Sequence, residues 1–403
     1  MSIRVLFIDD EPKLLEGLQR SVRPLRNEWE THFANSGQEG LRLLAETRFD
    51  VVVTDMRMPG MDGVAVLKAA MELHPQLLRI ILSGYADMES VVKSAGVAHQ
   101  YLSKPCSIDD IKSAVTRAVS LSCLLGNPEL KLLLSGINTI PSLPRLFLEL
   151  TELLKDPNSS MTQVESLVVR DIGMSAKVLQ LVNSAFFGRG RQTSDPAQAV
   201  RYLGLATLRA LALVVQVFES FEGKQASASF AVELWKHSSE CGAIAEKIAR
   251  AVRPADHALH DEAGMAGMLH EVGRLLMACN LNEQYRQSVA LAAEQSIPLW
   301  EAERHIFKAS ANEAGAYIMA LWGLPRAIVE AIAYHSTPAD YPVENFCAIS
   351  AIHIADVLTQ EGSDGTARQG AAELDMAYLE KLGVAARLDE FRKMVSDARS
   401  RAA

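Results

Sequence analysis

The sequence predicts a multidomain chain: a doubly wound, five-stranded parallel α/β sheet, followed by an all-α domain. Three observations carry this. In the first 120 residues, strand-length apolar runs alternate five times with helix-period segments. The residues there that could do chemistry stand directly after those runs. Beyond about residue 135 no convincing period-two run appears, whereas helical periodicity continues almost to the end.

The strand-like runs lie at 3–8, 30–34, 49–54, 78–83 and 99–103, and the helical ones at about 12–25, 36–47, 63–73, 88–96 and 107–122. The run ending in Thr54-Asp55, with Pro59-Gly60 just beyond, reads as a buried parallel strand. It delivers one carboxylate to its C-terminal edge, where open α/β sheets place their chemistry. The first run, Ile3 to Ile8, ends the same way at Asp9-Asp10-Glu11, so several acids are expected at one rim. That much negative charge calls for a cation. Ser83 closes the fourth run and Lys104 follows the fifth.

From Ser107 the apolar set Ile108, Ile111, Val115 and Val119 has helical spacing until Gly126-Asn127-Pro128 breaks it. A short piece, Leu130 to Leu134, then leads to a hinge at Ile140-Pro141 and Leu143-Pro144. Transmission through this connector and a passive spacer are both open readings. Helix-period segments follow at 143–155, 161–169, 173–186, 195–220, 227–252, 261–279, 282–295, 299–320 and 325–335. In the tail, 344–362 completes the helical domain, and 372–400 carries an apolar stripe of Leu388, Phe391 and Val395 that would dock back or meet a partner.

A chain of 403 residues, 49% apolar, has room for two or three domains with cores of their own. Net charge is −9 and no run of Lys or Arg stands out, which argues against nucleic acid or anionic lipid as partner and for protein surfaces. The five cysteines, at 106, 123, 241, 279 and 347, form neither a CxxC pair nor a regular framework. They suit buried thiols in a reducing cytosol. The first apolar run is too short for a secretory signal. The greasiest stretch, Tyr202 to Phe218, carries Arg209 and Gln216 and is below spanning length, so it is read as a core helix of a soluble, cytoplasmic protein.

The acidic pair Asp9-Asp10, Asp55 within Asp-Met-Arg-Met-Pro-Gly-Met-Asp-Gly, Ser83-Gly84, Tyr101 and Lys104-Pro105 together resemble the receiver domain of two-component response regulators, over residues 1–120. The resemblance implies that Asp55 accepts a phosphoryl group from a sensor histidine kinase. Mg²⁺ would be held by Asp9, through water, Asp10, Asp55 and the Arg57 backbone carbonyl, a hard oxygen set. Lys104 would pair with a phosphoryl oxygen, while Ser83 and Tyr101 would form a packing switch. Taken singly, each of these is an ordinary residue: an acid at a strand end is more often a cap or turn.

After a helical linker, 121–139, residues 140–340 carry phrases that resemble the HDOD family, a signalling branch of the HD phosphohydrolase-like folds. They include Ile140-Pro141-Ser142-Leu143-Pro144, Asn183-Ser184-Ala185-Phe186-Phe187-Gly188, Leu234-Trp235-Lys236-His237-Ser238, Gly267-Met268-Leu269-His270-Glu271-Val272-Gly273 and Leu321-Trp322-Gly323-Leu324-Pro325. Residues 341–403 are a C-terminal helical extension. Catalytic relatives gather histidines and aspartates around metal. Here His237, His270 and Asp356 match that pattern. Glu271 replaces an aspartate, Asn312 stands where a histidine is expected, and Tyr334-His335 replaces a His-His pair. The site therefore reads as degenerate, its metal loosely held if held at all, and hydrolysis as disfavoured. His237 and His270 also suit hydrogen-bonded core groups.

The expected function is thus a phosphorelay response regulator whose largely non-catalytic HDOD domain engages a downstream signalling protein, with room for a homodimer. The alternative is a phosphorylation-gated, metal-dependent hydrolase of a nucleotide or cyclic dinucleotide, with a mononuclear remnant through His237, His270, Glu271 and Asp356. A transcription factor is disfavoured, since no basic recognition helix is evident.

Overall fold

The computed structural model describes residues 2–83, 97–104, 106–122, 125, 127–137, 140–142, 144–156, 159–183, 193–209, 219–220, 228–342, 344–361 and 373–402. Five parallel strands, β1 (Ile3–Ile8), β2 (Trp29–Ala34), β3 (Val51–Asp55), β4 (Leu78–Ser83) and β5 (Gln100–Ser103), stand in the order β2-β1-β3-β4-β5. The expected doubly wound sheet is therefore present. The inner strands β1 and β3 are buried along nearly their whole length because helices cover both faces, whereas the edge strand β2 keeps polar Glu30, Thr31 and His32.

Alternation sorts the side chains into two cores. Leu6, Ile8, Val52 and Ile81 belong to one, with Leu44, Val66 and Leu67 from the helices Gly37–Glu46 and Gly63–Leu73. Val5, Phe7, Val51, Val53, Ile80 and Leu82 belong to the other, with Leu15 from Pro12–Val22 and Ile111 and Val115 from Ile108–Ser122. This second core continues without interruption into the helical half. The two halves thus share one apolar interior.

Polar contacts pin the same junction. Gln100 Nε2 donates to the Ala320 carbonyl at 3.2 Å, and Gln180 Nε2 to the His99 carbonyl at 3.4 Å. His99 accepts the Arg79 backbone N–H at Nδ1 (3.1 Å), and its Nε2 lies 3.1 Å from the Ser135 carbonyl and 2.9 Å from Arg79 Nη2. The Ser135 hydroxyl in turn meets the Tyr317 hydroxyl at 3.0 Å. The Arg79 guanidinium is fully buried and donates to the Val97, Pro75 and Leu77 carbonyls. Burial, with that guanidinium alongside, pushes the His99 imidazole well below its ordinary range.

Among the described residues, the second half is helical apart from a two-strand parallel pair, 141–142 with 219–220. Several expected long helices are broken, each for a local reason. The segment 195–220 divides into Pro196–Leu203 and Leu205–Arg209 because Gly204 adopts φ +75°. Tyr202 is exposed, so the expectation of one core helix from Tyr202 to Phe218 is corrected; residues 210–218 lie outside the described residues. The segment 261–279 divides into His257–Leu269 and Val272–Asn280, with His270 and Glu271 at the break. The segment 299–320 divides into Leu299–Phe307 and Ala311–Leu321, where Lys308 is left-handed and Ser310 and Glu313 form a capping box. The tail divides at Gly383 (φ +71°). The helix expected at 88–96 lies outside the described residues.

The last helix, Leu388–Ala402, docks back on Ala228–Val252 and Ala348–Gln360. Leu388, Phe391 and Val395 are buried. Arg399 pairs with Glu240 at 2.8 Å and donates to the Thr359 and Glu361 carbonyls.

Candidate functional sites

At the carboxyl edge of the sheet, Asp9 follows β1, Asp55 ends β3 and Lys104 follows β5. The Lys104 ammonium lies 2.7 Å from Asp9 Oδ2 and 2.5 Å from Asp55 Oδ1, bridging two acids from neighbouring strands. Asp9 Oδ1 also accepts the Glu11 N–H at 3.0 Å, and Asp55 Oδ2 the Arg57 N–H at 3.2 Å. Burial pushes the Asp55 carboxyl above its ordinary range against the pull of Lys104. For Lys104, burial is outweighed by the two carboxylates, which hold its pKa above the ordinary value.

The backbone is built to bring the next helix close. A Cβ on Gly63 would stand 2.2 Å from the Asp55 carbonyl oxygen, so glycine is needed there. Asp62 caps that helix through the Ala65 N–H at 2.8 Å. Asp10 is half-buried beside Asp9. Ser83 ends β4 in register with Ser103, and Tyr101 pairs with Ile81; the side chains of Ser83 and Tyr101 are outside the described residues.

Carboxylates and a backbone carbonyl are hard oxygen donors, a chemistry that fits magnesium. Among the described residues, Asp9, Asp10 and Asp55 do not close into one metal-sized cluster. The cation between Asp9 and Asp55 is the Lys104 ammonium.

A second cluster forms in the helical half. His237 Nε2 lies 3.0 Å from Asp356 Oδ1, His270 Nε2 lies 3.4 Å from the same oxygen, and the two imidazole nitrogens are 3.3 Å apart. His270 and His335 both follow the last residue of a helix, where carbonyls lack intrahelical partners. Each uses one: His270 Nδ1 donates to the Gly267 carbonyl (2.6 Å) and His335 Nδ1 to the Ile332 carbonyl (2.9 Å). Their Nε2 atoms are thereby free of that duty, and the two rings meet edge to face at 5.2 Å.

All five residues expected from the sequence, His237, His270, Glu271, His335 and Asp356, come together here. Burial opposes the charge on His270, but the Asp356 hydrogen bond and the Asp356 and Glu271 charges raise its pKa. Burial likewise works against Asp356, and the two imidazoles hold it well below the usual carboxylate range. His335 is pushed down to about 4 by burial and by the charge of His270.

Sequence reading missed several members. Cys241, one turn after His237 on the same helix, lies with His270 and Asp356 in a second metal-sized group, and the i,i+4 spacing was the available signal. Arg274 pairs with Glu271 and approaches Glu303, and Gln360 donates to Asp356 Oδ1 at 2.7 Å. Asn312 donates to the Ser336 hydroxyl at 2.8 Å. Two imidazoles and one carboxylate fit a single borderline ion, with Glu271 or Cys241 as further donor. Glu271 is engaged by Arg274.

Comparison with known proteins agrees with this division. The response regulator receiver domain model matches residues 5–116 and the HDOD domain model residues 140–338. An uncharacterized protein of Treponema pallidum (strain Nichols) is 26% identical over 224 residues, 55% of this chain and 42% of that protein. The DNA-binding transcriptional regulator NtrC of Escherichia coli (strain K12) is 38% identical over 117 residues, 29% of this chain and 24% of its own. The chain thus spans less than half the length of these curated relatives. The MmoQ response regulator of Methylococcus capsulatus is a structural neighbour at 20% identity and TM-score 0.46, covering 63% of this chain and 98% of that one. No helix among the described residues is long and apolar enough to cross a membrane.

Proposed function

Because the chain is a response regulator with a receiver domain ahead of an HDOD domain, we propose that Asp55 accepts a phosphoryl group from a sensor histidine kinase and that this changes how the HDOD domain engages a downstream signalling protein. The observation that carries the reading is the Lys104 ammonium bridging Asp9 and Asp55 at the sheet edge. An ionised Asp55 oxygen attacks phosphorus as the phosphorus–nitrogen bond of phosphohistidine breaks. Magnesium, when bound by Asp9, Asp10, Asp55 and the Arg57 carbonyl, supplies charge neutralisation for the transferring group. Lys104 then exchanges a carboxylate oxygen for a phosphoryl oxygen. Ser83 and Tyr101 complete the switch, in the cytoplasm where such kinases present their phosphohistidine.

The route onward is short. Lys104 directly follows β5, and Gln100 at the start of that strand is bonded to Ala320. Helix Ala311–Leu321 packs on Ile108–Ser122 and also on Val272–Asn280 and Arg326–Tyr334. A shift of β5 thus reaches the His270 and His335 supports through one helix.

The test is incubation with acetyl phosphate and Mg²⁺. Wild type should acquire one phosphate and show altered hydrogen exchange in 311–321, and Asp55→Ala neither. Equal labelling of the two proteins rejects Asp55 as acceptor. Labelling with no change in exchange rejects the coupling.

A further inference from the structure

Within the HDOD domain runs a cleft of about 400 Å³ that neither site above uses. One wall is the end of Met161–Val168 and the start of Pro196–Leu203; the other is the paired helices Ala228–Val252 and His257–Leu269. Gly242 makes that pairing close, since a Cβ there would stand 2.7 Å from the Gly264 carbonyl.

Among the described residues, the charged side chains lining the cleft are Asp195, Glu246 and Asp261, with no Lys or Arg beside them. Arg250, outside the lining, pairs with Glu246, which leaves an excess of negative charge. The polar wall adds another acceptor. His260 is buried, and its Nε2 donates to the Arg253 carbonyl at 2.8 Å, so its Nδ1 is a bare lone pair. That atom is buried without any hydrogen-bond partner. A buried polar atom without a partner is costly, and a native structure holds few of them. Val169, Pro196, Met265 and Met268 make the remaining wall apolar.

We propose that this cleft binds a small organic cation, a protonated amine or guanidinium carried on a short apolar body. A donor-rich head satisfies the carboxylates and the bare imidazole nitrogen together, and the methionine-lined wall takes the hydrocarbon. A metal ion is the poorer match. Among the described residues the metal-sized groupings of His, Cys, Asp and Glu atoms are both at the His270 cluster, and the acids of this cleft are not in them. Burial, then the charges of Asp195 and Glu246, raise the Asp261 carboxyl against the opposing pull of His260 and Arg250.

Titration calorimetry of the full chain with agmatine and with putrescine tests this, 1,4-butanediol serving as the uncharged control. Saturable one-site binding of at least one cation is expected, absent for the diol. It should weaken about tenfold in Asp261→Asn, the loss of a charge-assisted hydrogen bond. Ala243→Leu, at an exposed position lining the cleft, should block binding while leaving the fold intact by circular dichroism. Asp195 is not the residue to change, since it caps Pro196–Leu203 through the Ala197 N–H. No saturable heat from either cation up to about 10 mM overturns the proposal, as does binding unaffected by both variants. Acetyl phosphate labelling of Asp55 is independent of either result.

Discussion

Gln100, the first residue of β5, donates its side-chain amide to the carbonyl of Ala320 at 3.2 Å, across 220 residues of sequence. The strand that leads to Lys104 is thereby tied directly to the helix that supports the histidine cluster. A Cβ on Gly323, which has φ +75°, would lie 3.5 Å from the same Gln100 side chain, so the turn after that helix is fitted to it as well. Gln100→Ala should lower stability by about 1 kcal/mol, the worth of one buried hydrogen bond. It should also diminish the phosphorylation-dependent change in hydrogen exchange of 311–321. An undiminished change would place the coupling elsewhere.

Lys104 stands between two carboxylates whose side chains are 1% and 12% exposed. In Lys104→Met those two negative charges face each other without a counter-charge, and stability at neutral pH should fall by about 3 kcal/mol in urea denaturation. Added Mg²⁺ should return part of the loss. A loss that magnesium does not touch would argue against an ion among these acids.

Lys177 is buried with its ammonium 5.2 Å from the centre of the Trp322 ring, and burial pushes its pKa down to about 7 from an ordinary 10.5. Between those values the unfolded chain holds a proton that the folded protein has released. Stability contributed by this group therefore rises as pH climbs from about 7 to about 10.5, and is level outside that window. Lys177→Met should remove the rise, read as the difference between urea midpoints at about pH 7 and about pH 9. An unchanged difference would show that Lys177 is not the titrating group.

Gly273 sits where the helices Val272–Asn280 and Ala311–Leu321 touch backbone to backbone. A Cβ there would be 1.9 Å from the Ala311 carbonyl oxygen and 2.6 Å from the Gly315 nitrogen. Gly273→Ala should cost about 3 kcal/mol, because backbone must move. Gly17→Ala, inside Pro12–Val22 with nothing within 4 Å, should instead raise stability by about 0.5–1 kcal/mol. Thermal melts of the two variants moving the same way would refute this account.

Local chemistry alone located much of this protein. Apolar runs of strand length and the acids and lysine that follow them marked the sheet and its working edge, because side-chain period and strand direction are local properties. His237, His270, Glu271, His335 and Asp356 were legible as a set through family resemblance, though the sequence could not say whether they were ligands or core groups. Helix breaks were less legible: Lys308 in a left-handed conformation and the junction at His270-Glu271 interrupt patterns whose apolar spacing continues across them. What only the tertiary structure decided is everything that depends on distant pairs: Arg79 buried against His99, Gln100 on Ala320, the last helix folded back through Arg399, and Cys241, Arg274 and Glu303 around the histidines. A periodic sequence states which face of a helix is buried, but the partner on that face is set by how elements pack in three dimensions, and that packing joined receiver and helices into one core.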